Sequence, residues 1–229
     1  MTTTLKLISS MATRQVLNDL VAQIAAGSGP PVEVESTGGV DAAKRVQAGE
    51  AFDVVVLAAN AIDQLIAGGH VVAGSRVDLF KSGVAIAVRA GAAQPDIGSE
   101  EAVKAAVRAA RSVSFSTGPS GVHLSKLFER WGIADEIAQR LVPAPPGVPV
   151  GSMVADGRAE LGFQQLSELM HLPGITVLGP LPPAIQTITT FAGGVASTST
   201  QPAAVRAVLA LLAAPEADAA KRLQGMKPA

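Results

Sequence analysis

Short apolar runs alternate along the first third of the chain with stretches whose apolar residues recur at helical spacing. The run LKLIS at residues 5–9 precedes a helical pattern from Thr13 to Ala26, VEVES at 32–36 precedes one from Val40 to Ala48, and DVVVLA at 53–58 precedes one from Ala61 to Ala67. Repeated strand–helix units predict an α/β fold with a mostly parallel sheet, in which ligands bind beyond the carboxyl ends of the strands. Around VDLFKSGVAIAVRAG, residues 77–91, two strand-like runs follow without a helix between them, which marks passage into a second unit. That unit is expected to hold a helix capped by Ser99 with Glu100 and Glu101 in its first turn, the strand VSFS, a helix from Ser120 and the strand LGFQQ. The Pro- and Thr-rich run from Val177 to Ala196 reads as a return crossing, followed by helices over Pro202–Ala213 and Glu216–Leu223. The expected organisation is two lobes, residues 1–81 with 190–229 and residues 82–189, each a mostly parallel sheet flanked by helices, with strand-end loops facing a ligand cleft.

Composition narrows the core. Of 229 residues 48% are hydrophobic but only 3% aromatic, so Val, Leu, Ile and Ala must build it, as suits a buried sheet covered by helices. A net charge of −1 with no clustering of Lys and Arg argues against a nucleic-acid partner, and no apolar run is long enough for membrane insertion, which leaves a small anionic ligand as the expected partner. With no cysteine there are no disulfides or thiolate metal sites, and His70, His123 and His171 lie too far apart in sequence for a metal motif; neither metal nor cofactor is expected. The opening MTTTLKLISSMATRQVL lacks a basic segment followed by a long apolar run, so the chain as written is expected in the cytoplasm, or in the periplasm if a leader preceded it.

The strand-end loops carry the candidate chemistry. SSMATR supplies the hydroxyls of Ser9, Ser10 and Thr13, open N–H groups at a helix start, and Arg14, whose planar cation suits a carboxylate or oxyanion. A plain N-cap at Ser10 and a solvated Arg14 are the alternative. STGGVD offers Ser36, Thr37, Gly38 and Gly39, where the glycines permit close backbone approach or only a tight turn. TGPSG places Ser120 and Gly121 at another helix start, with His123 and Lys126 nearby, and FQQLSEL adds the amides of Gln164 and Gln165 and the carboxylate of Glu168. His123 is the acid–base candidate, against the alternative of a solvated residue in an ordinary first turn.

The order of LKLISSMATRQVLNDL, VQAGEAFDVVVLAA, GPSGVHLSKLFERWG and AELGFQQLSEL resembles the molybdate-binding proteins of ABC importers, a branch of the type II periplasmic-binding-protein fold that includes aconitate isomerase. The resemblance implies two α/β lobes and an oxyanion site, with an ABC permease as partner if the chain is exported. It implies serines where this chain has Ala12 and Gly39, and a tyrosine where it has Gln165, in a chain with no tyrosine at all. The implied ligand is therefore an anion other than molybdate, an organic di- or tricarboxylate, and Ser120 occupies a position that supplies a backbone N–H to the anion. The function that follows from the resemblance is a carboxylate-binding protein, with a cytosolic isomerase that moves a double bond in a tricarboxylic acid as the alternative.

Overall fold

The computed structural model describes residues 4–27, 29–145 and 147–229. They form two compact units, one comprising the described residues up to Ser82 together with Thr189–Ala229, the other Gly83–Ile188.

The first unit opens with β1 (Leu5–Ser10), a 3-10 turn at Met11–Thr13, α1 (Arg14–Ala26), β2 (Val32–Thr37), α2 (Gly39–Gln47), β3 (Val54–Ala58), α3 (Ala59–Ala67) and the first half of β4 (Val77–Arg89). In the second unit the rest of β4 is followed by α4 (Glu100–Ala109), β5 (Val113–Phe115), α5 (Pro119–Arg130), α6 (Ala134–Ile137), α7 (Val150–Ala155), β6 (Leu161–Gln165), α8 (Leu166–Leu169) and β7 (Ile175–Pro180). The chain then returns through β8 (Ile188–Val195) to α9 (Pro202–Ala213), α10 (Asp218–Leu223) and β9 (Lys227–Pro228).

In the first unit β1 pairs in parallel with β2 and β3, and β8 pairs antiparallel with β3. Side chains alternate across the strands, so successive residues go to opposite faces and both faces must be apolar where helices cover both. Leu5, Leu7, Val54 and Val56 pack with Val16, Leu17, Leu20 and Val205 on one face, whereas Ile8, Val55 and Leu57 pack with Val46, Ile62 and Leu65 on the other.

In the second unit β5 and β6 run parallel, with Phe115 opposite Phe163, while β4 pairs antiparallel with β6 and β7. Val84, Ile86 and Val88 of β4 face a core with Phe115, Leu124, Phe128 and Phe163, and Ala85 and Ala87 face Leu169. This alternation continues through the Ser82–Gly83 step, so the two strand-like runs of the sequence form one strand. The antiparallel pairs are those made by the strands that carry the chain between the units, β4 and β8, and by β7.

Several local signals have a visible cause. Ser99 Oγ accepts a hydrogen bond from Ala102 N at 3.1 Å and caps α4, whose first turn carries Glu100 and Glu101. Pro119 opens α5, where its missing N–H costs nothing.

Candidate functional site

Parallel pairing brings the carboxyl ends of β1, β2 and β3 to one edge of the first unit, with Ser9 opposite Ser36 and Ser10 opposite Thr37. The hydroxyls there divide into two kinds. Ser9 Oγ and Ser36 Oγ lie 2.7 Å apart and share a hydrogen bond, and Thr13 Oγ1 donates to the Ser10 carbonyl at 3.1 Å, so these three brace the loop. Ser10 is different. Only 7% exposed, it precedes the 3-10 turn without capping it, and its Oγ is buried with no hydrogen-bond partner among the described residues. A buried hydroxyl left unpaired costs about 1–3 kcal/mol, which a ligand oxygen would recover.

Beside it begins α2. The first intrahelical bond there is Ala42 N to the Gly38 carbonyl, and no side chain caps the helix, so the N–H groups of Gly39 and Val40 sit in the first turn without an intrahelical acceptor. Neither Gly38 nor Gly39 has positive φ, and a Cβ on Gly39 would meet the Ser10 Cβ at an ordinary 3.6 Å. The backbone therefore does not demand glycine at 39; its small size leaves room next to the unpaired hydroxyl. Arg14, the first residue of α1, is exposed and has no ion-pair partner among the described residues.

In the second unit the carboxyl ends of β5 and β6 share an edge, because the two strands are parallel. After β5 the chain turns into α5 with Ser116 Oγ and Ser120 Oγ 2.9 Å apart, and Val122 N bonds the Gly118 carbonyl, leaving the Ser120 and Gly121 N–H groups at the open helix end. Such an end carries partial positive charge and attracts anions. Gly121 is sterically required, since a Cβ would lie 1.6 Å from the Ser116 carbonyl oxygen.

His123, half-buried, has its Nε2 2.9 Å from the Ile185 carbonyl, which uses that nitrogen as a donor and ties the first turn of α5 to the Pro182–Ile185 turn. Lys126 is exposed one turn further along. After β6 the amides are buried: Gln164 Oε1 accepts from Val150 N at 2.9 Å, and its Nε2 donates to Glu168 Oε1 at 2.8 Å. Gln165 is also buried and pairs in register with Val84 of β4. Burial pushes the Glu168 carboxyl up to about 7, against the opposing effect of the Gln164 hydrogen bond.

The loops singled out in the sequence thus gather at one strand edge in each unit, the first with Ser9, Ser10, Thr13, Ser36, Thr37 and Gly39, the second with Ser120, Gly121, His123, Gln164 and Gln165. Two contributors were not visible in it. Ser116 supports Ser120, and Gln186 clamps both backbone groups of Val84, accepting from its N–H at 2.9 Å and donating to its carbonyl at 3.0 Å. Gln186 lies 102 residues from Val84 in sequence, so no local pattern announces it. Among the described residues no group of three His, Asp or Glu side chains converges as a metal site, and no helix is long and apolar enough to cross a membrane.

Comparison with known proteins agrees with this architecture. The chain is 43% identical over 187 residues to an aconitate isomerase from a Pseudomonas species, a span of 80% of this chain and 70% of that protein. The periplasmic molybdate-binding protein of Azotobacter vinelandii superposes with a TM-score of 0.80 at 20% identity, covering 97% of this chain and 98% of that one. A sulfate-binding protein from Mycobacterium tuberculosis superposes with a TM-score of 0.79 at 15% identity, covering 99% and 87%. A family model described as bacterial extracellular solute-binding protein matches residues 5–227. The chain belongs to the bacterial extracellular solute-binding protein family and has the type II periplasmic-binding-protein fold.

Proposed function

We propose that the strand-end donors bind a small organic tricarboxylate and that the chain isomerises it, moving a double bond between neighbouring carbons as an aconitate isomerase does. The observation that carries this reading is the 43% identity over 80% of the chain to the Pseudomonas aconitate isomerase, well above the 20% shared with the molybdate-binding protein. The geometry supports it. Each unit has donors suited to carboxylate oxygens at its strand-end edge: in the first the Ser10 hydroxyl, the open N–H groups of α2 and the Arg14 guanidinium, which has no ion-pair partner among the described residues, and in the second the open N–H groups of α5. A double-bond shift further needs a group that can both take and return a proton near neutral pH, and the second unit supplies one in Glu168.

A second reading keeps the binding and drops the chemistry: a carboxylate receptor, with an ABC permease as partner if the chain is exported. The solute-binding family match favours it. The test is a thermal-shift panel of trans-aconitate, cis-aconitate, molybdate and sulfate, with each mixture also followed by NMR. A ligand at about 100 times its dissociation constant stabilises by about 2.7 kcal/mol, a clear shift. Aconitate should shift the melting temperature more than molybdate or sulfate and should be converted. Stabilisation without conversion would favour the receptor, and preferential stabilisation by molybdate would refute both.

A further inference from the structure

We infer that Glu168 is the catalytic proton-transfer residue and Gln164 the residue that positions it, an assignment that rests on the isomerase reading above. The geometry is specific. Gln164 is buried and its amide cannot be turned freely, because Oε1 already accepts the Val150 N–H at 2.9 Å. Its Nε2 is thereby aimed at Glu168 Oε1, 2.8 Å away. Glu168 follows directly on β6 in the short α8, at the edge where the Ser116–Ser120 loop and the open end of α5 also lie. The Glu168 side chain is half-buried, and its Oε1 is fixed by the Gln164 amide.

The surroundings set its proton affinity. Of the elements packed on α8, β6 (LGFQQ), α7 (VGSMVA) and β7 (ITVLGP) carry no ionisable side chain, and β4, whose ionisable residues are Asp78, Lys81 and Arg89, meets α8 through Ala85 and Ala87. Elsewhere on this edge His123 is held by the Ile185 carbonyl and Lys126 is exposed, and beyond α8 His171 is exposed. With no cation holding it ionised, the desolvated carboxyl is pushed up to about 7 and populates both forms at neutral pH.

The step balances without any co-reactant. A Glu168 oxygen takes a proton from the methylene carbon next to a substrate carboxylate. The C–H electron pair becomes the new double bond, and the pair of the old double bond shifts to the far carbon, conjugated with its own carboxylate. That carbon then takes a proton back from the Glu168 carboxyl. The substrate is neither oxidised nor reduced, and the protein ends as it began. The N–H groups opening α5 and the Ser116–Ser120 hydroxyl pair are the donors at this edge for the charge that builds on the substrate carboxylate.

The test is Glu168→Gln with trans-aconitate turnover followed by NMR, alongside calorimetric affinity for tricarballylate, a saturated tricarboxylate that cannot isomerise. The expected result is a loss of kcat of roughly 100-fold or more with tricarballylate affinity within about threefold of wild type. The wild-type kcat should rise through a limb near pH 7, and Gln164→Leu should move that limb to higher pH, because the lost hydrogen bond favoured the ionised form. Glu168→Asp, which keeps a titrating group on a shorter stem, should retain more turnover than Glu168→Gln and guards against a folding defect in either variant. Turnover in Glu168→Gln close to wild type would overturn the assignment alone. A wild type that binds aconitate without converting it would overturn the isomerase reading and this assignment together.

Discussion

Replacing Glu168 by Gln should make the protein more stable at pH 8 and leave it unchanged near pH 4. The carboxyl has an ordinary value of 4.5 in the unfolded chain and about 7 in the folded one. Below 4.5 both states hold the proton and the residue contributes nothing to the pH dependence. Between 4.5 and 7 the folded state binds a proton the unfolded state has released, so stability falls as pH rises. Above 7 the destabilisation is complete. At 1.36 kcal/mol per pH unit, the interval corresponds to about 3 kcal/mol, which solvent at a half-buried carboxyl screens to about 1–3 kcal/mol. The amide that Glu168→Gln introduces would still accept the Gln164 hydrogen bond but would carry no charge to desolvate. At roughly 2–4 °C per kcal/mol for a chain of this size, the variant should melt several degrees higher at pH 8. Glu35 and Glu50, held below the usual carboxylate range by hydrogen bonds from Arg45, give the opposite acid-side dependence, but both proteins share it and it cancels in the difference. Melting curves every half pH unit from 4 to 8.5 make the measurement. A constant gap between the two proteins across that range would mean that Glu168 does not change its protonation on folding.

Four further substitutions probe the rest of the site. Ser10→Ala removes the buried unpaired hydroxyl and should stabilise the free protein by up to about 1 kcal/mol while weakening tricarboxylate binding by about 1–3 kcal/mol; unchanged calorimetric affinity would count against Ser10 as a ligand group. Gly39→Ala should fold normally, whereas Gly121→Ala, whose Cβ would sit 1.6 Å from the Ser116 carbonyl oxygen, should lower the melting temperature strongly; equal effects would contradict the steric account. His123→Gln, whose amide can replace the donor to the Ile185 carbonyl, should keep both stability and most turnover, and a 100-fold loss of kcat there would move the acid–base role from Glu168 to His123.

Much of the frame was legible from short-range pattern. The runs LKLIS, VEVES and DVVVLA became β1, β2 and β3, and the Ser99 cap and the helix over Pro202–Ala213 stand where their end signals put them. Within each unit the strand-end loops share an edge, because parallel pairing alone brings strand ends together. What stayed hidden depends on long-range contact. VLGP, residues 177–180, reads as part of a Pro-rich crossing until β4 pairs with Ile175–Pro180 as β7, and the short helices α7 and α8 are too brief for helical periodicity. His123 carries the sequence signal for acid–base work, yet its Nε2 is committed by the Ile185 carbonyl, 62 residues away. Glu168 carries no such signal. Its proton affinity comes from burial beside a glutamine that a distant backbone N–H has oriented, which residue type cannot reveal. Likewise nothing in SSMATR tells Ser10, left unpaired, from Ser9, which is bonded to Ser36.

Isomerisation itself is tested by incubating the wild-type chain with trans-aconitate in deuterium oxide and following proton NMR over hours. Signals of cis-aconitate should grow at a rate proportional to enzyme concentration, with deuterium entering the allylic methylene carbon as the catalytic proton exchanges with solvent. A spectrum that stays unchanged, in a sample whose melting temperature the same ligand raises, would contradict isomerisation and leave a receptor.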